Sequence, residues 1–155
     1  MNYTDWLLLS AACAAGVYLL FVAAPGVCSF FFIFGRRRVV PFRELDLHGH
    51  YLLPYRDVIL AGCDRLDAVP SSTVSITADD GIELNARFFD TGSDACVILI
   101  HGFTASPECN FAVLAADLLD RGYSVLMPVN RAHTGSGGRY TTLGPAESED
   151  VLRWT

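Results

Sequence analysis

The feature that most constrains this chain is a long apolar segment close to its amino terminus. From Trp6 to Phe34 no side chain carries a charge at neutral pH. As a helix, this run would be about 44 Å long, whereas the hydrocarbon core of a bilayer is about 30 Å thick. We therefore predict a transmembrane anchor over residues 1–35, kinked or tilted because Pro25 and Gly26 fall inside the run.

A cleaved signal peptide is the alternative to a retained anchor. The run lacks a basic start and is too long for an ordinary signal core, so a retained anchor is favoured. Four arginines follow the run, at positions 36, 37, 38 and 43, whereas only Asp5 and the terminal amine precede it. The positive-inside rule then predicts a single-pass membrane protein with a cytoplasmic carboxyl-terminal domain. These arginines also make membrane lipid a predicted partner, since each is suited to anionic headgroups.

Residues 36–70 are predicted to form a juxtamembrane linker that contains an amphipathic helix. Apolar residues recur there at helical spacing, namely Leu52, Tyr55, Ile59, Cys63 and Leu66. Pro54 is expected in the first turn, where proline is tolerated. Such a helix either lies on the membrane surface or packs on the following domain, and packing is favoured.

Residues 71–155 are predicted to begin an α/β domain. Residues 74–77 and 82–88 alternate with a period of two around Asp79-Asp80-Gly81, which predicts an antiparallel hairpin. Val97–Ile100 is predicted to be a central strand covered on both faces.

A helix and a second strand follow that central strand. The helix is expected to begin near Pro107 and to end at Gly122, and the strand to cover Tyr123–Val129. The expected buried stripe of this helix is Phe111, Leu114, Ala115, Leu118 and Leu119. Strand, helix and strand form a βαβ unit, so we predict a parallel pair within a mixed sheet. A further helix is expected near Glu147.

Two loops that follow these strands carry the chemical signal. In His101-Gly102-Phe103-Thr104, Gly102 permits a sharp turn that leaves the amides of Phe103 and Thr104 free at the carboxyl end of the strand. Ligands bind at that edge in open α/β sheets. The second loop, residues 130–140, is rich in glycine but has no lysine and no G-x-x-x-x-G-K pattern, so nucleotide is not an expected ligand.

Taken in order, the two loops resemble those of membrane-anchored bacterial α/β-hydrolases of the serine esterase and lipase type. The resemblance covers essentially the whole chain and implies an incomplete α/β-hydrolase sheet after one transmembrane helix. It also implies that the amides of Phe103 and Thr104 belong to an oxyanion hole. The residues expected to shape the loops are His101, Gly102, Arg131 and His133. Val129 and Thr134 depart from the family pattern, which has aspartate and glycine at these positions.

The family resemblance further implies a serine nucleophile in G-x-S-x-G and a later acid and histidine. None of these is present, because Ser136 follows a loop rather than a strand and Ser106 has no adjacent base. Cys109 is expected to be structural, although its place in the first helical turn should favour the thiolate. We therefore expect that this chain contains no catalytic residue, that it is truncated before its nucleophile, and that it is inactive. The parent protein would hydrolyse a small ester or acyl substrate.

The net charge and the spacing of cysteines and histidines argue against several classes of ligand. The net charge of −6, with several of the basic residues behind the anchor, argues against nucleic acid as a partner. The cysteines and the pair His48 and His50 lack the spacing of a metal site, so no metal or other cofactor is expected. All four histidines are expected to be structural. The alternative to an enzyme is a non-enzymatic, membrane-anchored interaction module whose half-sheet pairs with a second polypeptide.

Overall fold

The computed structural model describes residues 2–48 and 50–155. The first residue of the predicted anchor and one residue of the predicted linker, Gly49, lie outside the described residues. The chain forms two compact units, Met1–Gly35 and Arg36–Thr155.

The first unit is helical from Tyr3 to Phe34. Helix α1 spans Tyr3–Tyr18, a π-helical turn spans Leu19–Ala23, and helix α2 spans Ala24–Phe34. The irregularity expected near Pro25 is thus the π-helical turn that precedes it. This wider turn tolerates the absence of a backbone N–H at the proline. None of the residues of these helices is buried. Their length and composition suit a membrane span, and amino-terminal signal sequences share both properties.

The second unit begins with an extended segment and two short 3₁₀ helices, Phe42–Glu44 and Leu53–Tyr55. Helix α3 then spans Arg56–Asp67. Pro54 lies in the 3₁₀ helix that runs directly into α3, at one of the first positions, where a backbone N–H has no acceptor within the helix. The first helical turn therefore contains Pro54 as expected, but this turn is 3₁₀ and not α-helical.

Helix α3 packs on helix α4, which spans Pro107–Asp120, so the predicted packing of the amphipathic helix is confirmed. A side chain at Gly62 would lie 2.8 Å from the backbone nitrogen of Val113, so the two helices approach closely there. Small residues of α4 face this contact and are buried: Ala112, Ala115 and Ala116. The predicted stripe is therefore partly wrong, since Leu114 is 47% exposed. Close helix contact favours alanine over leucine on the inner face.

Within the described part of the chain, four strands form one mixed sheet in the order β1-β2-β4-β3. They span Ser72–Thr77, Glu83–Phe89, Cys96–Ile98 and Ser124–Pro128. The predicted hairpin is confirmed: β1 and β2 are antiparallel, with Ser72 opposite Phe88 and Thr77 opposite Glu83. Strands β3 and β4 are parallel, as the βαβ pattern predicts, and β2 pairs with β4 antiparallel.

The prediction that Val97–Ile100 forms a central strand is wrong for the described sheet. Strand β3 ends at Ile98 and pairs only with β4, so it is an edge strand among the described residues. Pairing continues one residue further, because the Leu99 backbone nitrogen donates to the Leu126 carbonyl at 2.9 Å. The apolar character of β3 therefore comes with an open edge, which leaves backbone groups available for pairing.

The core of the second unit lies between the sheet and helices α3 and α4. Its most buried members are Leu66, Phe89, Ala115 and Val125, each 0% exposed. Helix α5, Pro145–Arg153, begins with a proline and follows the second loop, as predicted. The two loops at the carboxyl ends of β3 and β4 are thereby held between the sheet, α4 and α5.

Candidate active site

The loop after β3 is a tight turn that leaves two amides unbonded. The Ala105 nitrogen donates to the Gly102 carbonyl at 3.2 Å, which closes a four-residue turn. Phe103 and Thr104 occupy its two central positions, whose N–H groups such a turn does not use. Neither amide has an acceptor among the described residues. The turn thus presents two N–H groups beyond the carboxyl end of β3.

This turn is strained at one residue and held by a side chain of α4. Thr104 has a φ of 65°, a left-handed conformation that is unfavourable for a β-branched residue. Asn110, in the first turns of α4, accepts a hydrogen bond from the Gly102 nitrogen at 2.8 Å. Strained backbone of this kind persists only where the surroundings hold it, and it concentrates at binding and catalytic sites.

Asn130 joins the loop after β4 to the loop after β3. Its backbone nitrogen donates to His101 Nε2 at 3.0 Å, and its side-chain Nδ2 donates to the His101 carbonyl at 2.8 Å. The two strand ends are therefore locked together directly beside the turn.

The His101 ring is fixed as one neutral tautomer. Nδ1 lies 2.9 Å from the Gly102 carbonyl and must donate to it, while Nε2 accepts from Asn130. Burial lowers the pKa of His101 to about 4, although the hydrogen bond with the Gly102 carbonyl opposes this shift; His133 lowers it further. Because its lone pair is already used, His101 braces the loops and is not placed to act as a base.

His133 is buried beside His101, with ring centroids 4.9 Å apart and planes nearly perpendicular. Its Nδ1 lies 2.9 Å from the Arg131 carbonyl and so carries the proton. Its Nε2 is buried and has no hydrogen-bond partner among the described residues. His133 is thus only half satisfied, unlike the fully bonded histidine that we expected.

A cavity of about 290 Å³ adjoins these groups. Ile100, Phe103 and Leu143 supply apolar walls, and His101, His133 and Glu147 supply polar ones. Burial alone would raise the pKa of Glu147, but hydrogen bonds from Thr142, Thr141 and backbone amides outweigh it and hold the pKa at about 2. The Glu147 carboxylate therefore holds the backbone at the amino-terminal end of α5.

Arg131 anchors the second loop to two distant elements. Its guanidinium binds Asp150 of α5 through two contacts of 2.6 Å and Asp80 of the β1–β2 turn at 2.7 Å. The Arg131 and Asp150 side chains are 6% and 9% exposed, so this pair is buried. The hydrogen bond to Asp150 chiefly, followed by that to Asp80, raises the pKa of Arg131 despite burial.

No protein-family model and no curated protein matches the chain. Solved structures of the esterase Pf2001 from Pyrococcus furiosus do match. Two crystal forms align with TM-scores of 0.53 and 0.54, each at 36% identity and over 59% of this chain.

The chain resembles part of an esterase. It covers 36% and 38% of the esterase in those two structures, so the similarity is to little more than a third of that enzyme. A third crystal form gives 33% identity and a TM-score of 0.51. An identity above 30% together with a shared fold supports an esterase-like hydrolase, as the two loops predict.

The glycine-rich loop packs closely on strand β2. A side chain at Gly137 would lie 2.9 Å from the Glu83 carbonyl oxygen, and the Gly137 nitrogen donates to that oxygen at 2.7 Å. The Ser136 hydroxyl donates to the Val129 carbonyl at 2.6 Å and accepts from the Asn85 nitrogen. Ser136 is therefore a structural residue of a loop whose glycine permits close backbone contact.

The two departures from the family pattern have structural explanations. The Thr134 hydroxyl accepts from the Val39 nitrogen at 3.0 Å and donates to the Arg37 carbonyl at 3.2 Å, so it binds the segment before α3. Val129 packs against Gly135, whose φ is 112°. Thr134 therefore bonds the loop to the segment before α3, and Val129 lies beside Gly135.

Arginines of the predicted lipid-binding run contact these same loops. The Arg36 guanidinium donates to the carbonyls of Ser136 and Gly138 at 2.7 and 2.8 Å. The Arg37 guanidinium lies 5.0 Å from the centre of the Phe103 ring, a cation–π distance. The start of the linker thus contacts both loops of the candidate site.

The other candidate nucleophiles are structural. The Ser106 hydroxyl caps α4 by accepting from the Cys109 nitrogen at 3.0 Å. Burial, with a contribution from Glu108, raises the pKa of Cys109, so the expected tendency toward the thiolate is wrong. Desolvation outweighs the helix terminus at this position.

Sequence reasoning found the two loops but missed the residues that hold them. Asn110, Asn130, Asp150 and Asp80 make the fixing contacts. Asn130 was detectable, since an amide directly after a strand at the ligand-binding edge can donate and accept at once. The partners of Arg131 lie 51 and 19 residues away in sequence, and no local pattern identifies them.

Proposed function

We propose that this chain supplies the oxyanion-binding part of a membrane-anchored ester hydrolase. The observation that carries the proposal is the pair of unbonded amides at Phe103 and Thr104, the first of which belongs to a residue that lines a largely apolar cavity. During acyl transfer the carbonyl oxygen of an ester becomes negatively charged, and each preorganised N–H donor stabilises it by about 3–4 kcal/mol. The similarity to an esterase supports this assignment.

The reaction itself needs a nucleophile and a base that these described residues do not place at the turn. His101 has its lone pair engaged, and Ser106 and Ser136 are tied to backbone groups. We propose that a Ser-His-Asp group on further polypeptide would complete the site against the open edge of β3. The 155-residue chain should then show no turnover of p-nitrophenyl butyrate. Turnover that survives purification would contradict the proposal that the Ser-His-Asp group lies on further polypeptide.

Membrane attachment is part of the proposal. The helix over Tyr3–Phe34 is long and apolar enough to cross a bilayer, and the arginines that follow it favour a cytoplasmic position for the second unit. The substrate would then be a small ester or acyl compound reached from the cytoplasmic side.

Titration with a short carboxylate tests the oxyanion proposal. Butyrate, the acid product of a butyryl ester, is added to the ¹⁵N-labelled full chain in detergent micelles while amide resonances are recorded. We expect saturable shifts at Phe103 and Thr104 and little change at Ala105, whose amide is already bonded. Butanol is the matched control, since it has the same chain without the charge. Equal shifts with butanol, or none with butyrate, would overturn the proposal.

A non-enzymatic interaction module is the second candidate, and the open edge of β3 is the observation that favours it. In that case another polypeptide would pair with β3, and the amides of the turn would not respond to butyrate. The same titration therefore separates the two functions.

A further inference from the structure

A group of large apolar side chains is exposed where helix α3 begins. The exposed fractions are 76% for Tyr51, 47% for Leu53, 60% for Tyr55 and 58% for Val58. The second half of the same helix is different, since Cys63 and Leu66 are buried against α4. We refer to residues 51–58 as the α3 patch. Clustered exposed apolar side chains mark an interaction surface.

The chemistry of the α3 patch suits a lipid surface. Tyrosine has an apolar ring and a polar tip, and it is enriched where a bilayer meets water. Leu53 and Val58 add purely apolar groups that gain free energy on leaving water. Arg56 and Asp57 are the only charged residues in the patch and lie 3.6 Å apart, so its net charge is zero.

The patch is joined to the proposed membrane span by a short stretch of chain. Residues 35–50 separate the end of α2 from Tyr51. Even fully extended, such a stretch reaches only about 55 Å. If the span is inserted, this stretch tethers the second unit to the bilayer, and the raised effective concentration lets a weak contact form that would fail for a free protein.

Arg36, the first arginine before the patch, is a less suitable lipid contact. The Arg36 guanidinium is committed to the carbonyls of Ser136 and Gly138, which hold the second loop. Attachment through the neutral patch instead depends on burial of apolar and aromatic groups, which electrostatic screening by sodium chloride does not weaken.

We propose that residues 51–58 lie in the headgroup region of the membrane and hold the second unit against the lipid surface. This inference rests on the proposed membrane anchoring and is independent of the oxyanion proposal. The ligand is a zwitterionic or anionic phospholipid surface without preference for either.

Quenching of tryptophan fluorescence by brominated lipids tests the inference in the full chain. The chain is reconstituted in phosphatidylcholine vesicles with bromine on the acyl chains. Three single-tryptophan forms are compared: Trp154→Phe, which keeps Trp6 in the proposed span, and Trp6→Phe/Trp154→Phe carrying either Tyr55→Trp or Tyr123→Trp. Tyr123 is a matched control, because Arg65 pairs with Asp117 and Asp120 and so places the end of α4 away from the start of α3.

We expect strong quenching at position 6, about a twofold loss of emission at position 55, and little loss at position 123. The loss at position 55 should be the same at low and high salt and with added phosphatidylserine. Quenching at position 6 without quenching at position 55 would overturn the patch and leave the anchor intact. Absence of quenching at position 6 would overturn the anchor and this inference together.

A second measurement does not depend on the new tryptophans. Hydrogen exchange of the amides of residues 51–58 in the unaltered chain should slow on transfer from detergent to vesicles, while the amides around Tyr123 stay unchanged. Equal exchange in both settings would also contradict the inference.

Discussion

Asn130 holds His101 through two hydrogen bonds at once, one to the imidazole ring and one to the backbone carbonyl. These bonds tie the end of β4 to the end of β3, where the proposed oxyanion turn begins. The position of the turn thus depends on a residue outside it, and the bond from the Asn130 backbone nitrogen to Nε2 helps to fix the tautomer of His101.

Replacing Asn130 with alanine should destabilise the fold. Asn130→Ala removes the Nδ2 donor and leaves the carbonyl of the buried His101 unpaired, which costs about 1–3 kcal/mol. Urea unfolding measures the loss. The backbone bond to Nε2 should persist, so the ¹⁵N shifts of the His101 ring serve as a control and should stay those of the same tautomer. An unchanged free energy of unfolding would contradict the proposed lock.

The pKa of His101, lowered to about 4, predicts a specific acid sensitivity. Above pH 6.5 His101 is neutral in both folded and unfolded chains. As the pH falls from 6.5 toward 4, only the unfolded chain takes up the proton, so stability should fall by up to about 3 kcal/mol. Unfolding at several pH values measures this slope, and His101→Gln should flatten it. An equally steep slope in His101→Gln would assign the effect elsewhere.

The buried ion pair of Arg131 and Asp150 should matter more than the exposed contact with Asp80. Asp150→Asn removes one charge of a buried pair and should cost about 3 kcal/mol. Asp80→Asn is the matched control, because the Asp80 side chain is 48% exposed and the expected loss is about 1 kcal/mol or less. Equal losses would show that burial does not distinguish the two carboxylates.

The left-handed conformation of Thr104 predicts an unusual response to glycine. Thr104→Gly relieves about 1–2 kcal/mol of strain, which offsets the entropy that glycine adds to the unfolded chain, so stability should be unchanged or slightly higher. At the neighbouring position Ala105→Gly should cost about 0.5–1 kcal/mol, since no strain is relieved there. Thermal unfolding of both variants measures the contrast. A clear loss in Thr104→Gly would contradict the strained turn.

The close contact between α3 and α4 predicts that Gly62 tolerates no side chain. A Cβ there would lie 2.8 Å from the Val113 nitrogen and 3.0 Å from the Ala112 carbonyl carbon. Gly62→Ala should therefore destabilise the second unit by about 1–3 kcal/mol, although alanine favours helix elsewhere. Ala61→Ser, on the exposed side of α3, is the control and should have little effect. A stabilising Gly62→Ala would show that the helices are farther apart.

Much of the fold follows from local patterns. The alternation around Asp79-Asp80-Gly81 predicts the hairpin of β1 and β2, and the order strand, helix, strand predicts the parallel pair of β3 and β4. These local patterns do not predict the order of the strands across the sheet. They place Val97–Ile100 at the centre of a sheet, whereas β3 lies at its edge among the described residues.

The site divides in the same way. The glycine turn and the two loops are local features that the sequence predicts. The contacts that hold the loops in place are not local and are not predicted. Asp150 and Asp80 meet Arg131 only after α5 and the hairpin are packed. The tendency of Cys109 toward the thiolate was predicted wrongly for a related reason, since burial is a tertiary property that raises its pKa and outweighs the helix terminus.

Amide hydrogen exchange at the turn tests the central claim most directly. In the full chain at neutral pH, the amides of Phe103 and Thr104 should exchange at close to the rate of an unprotected peptide. The amides of Gly102 and Ala105, which donate to Asn110 and Gly102, should exchange markedly more slowly. Protection of Phe103 and Thr104 equal to that of their neighbours would mean that these amides are already bonded, and the oxyanion assignment would be wrong.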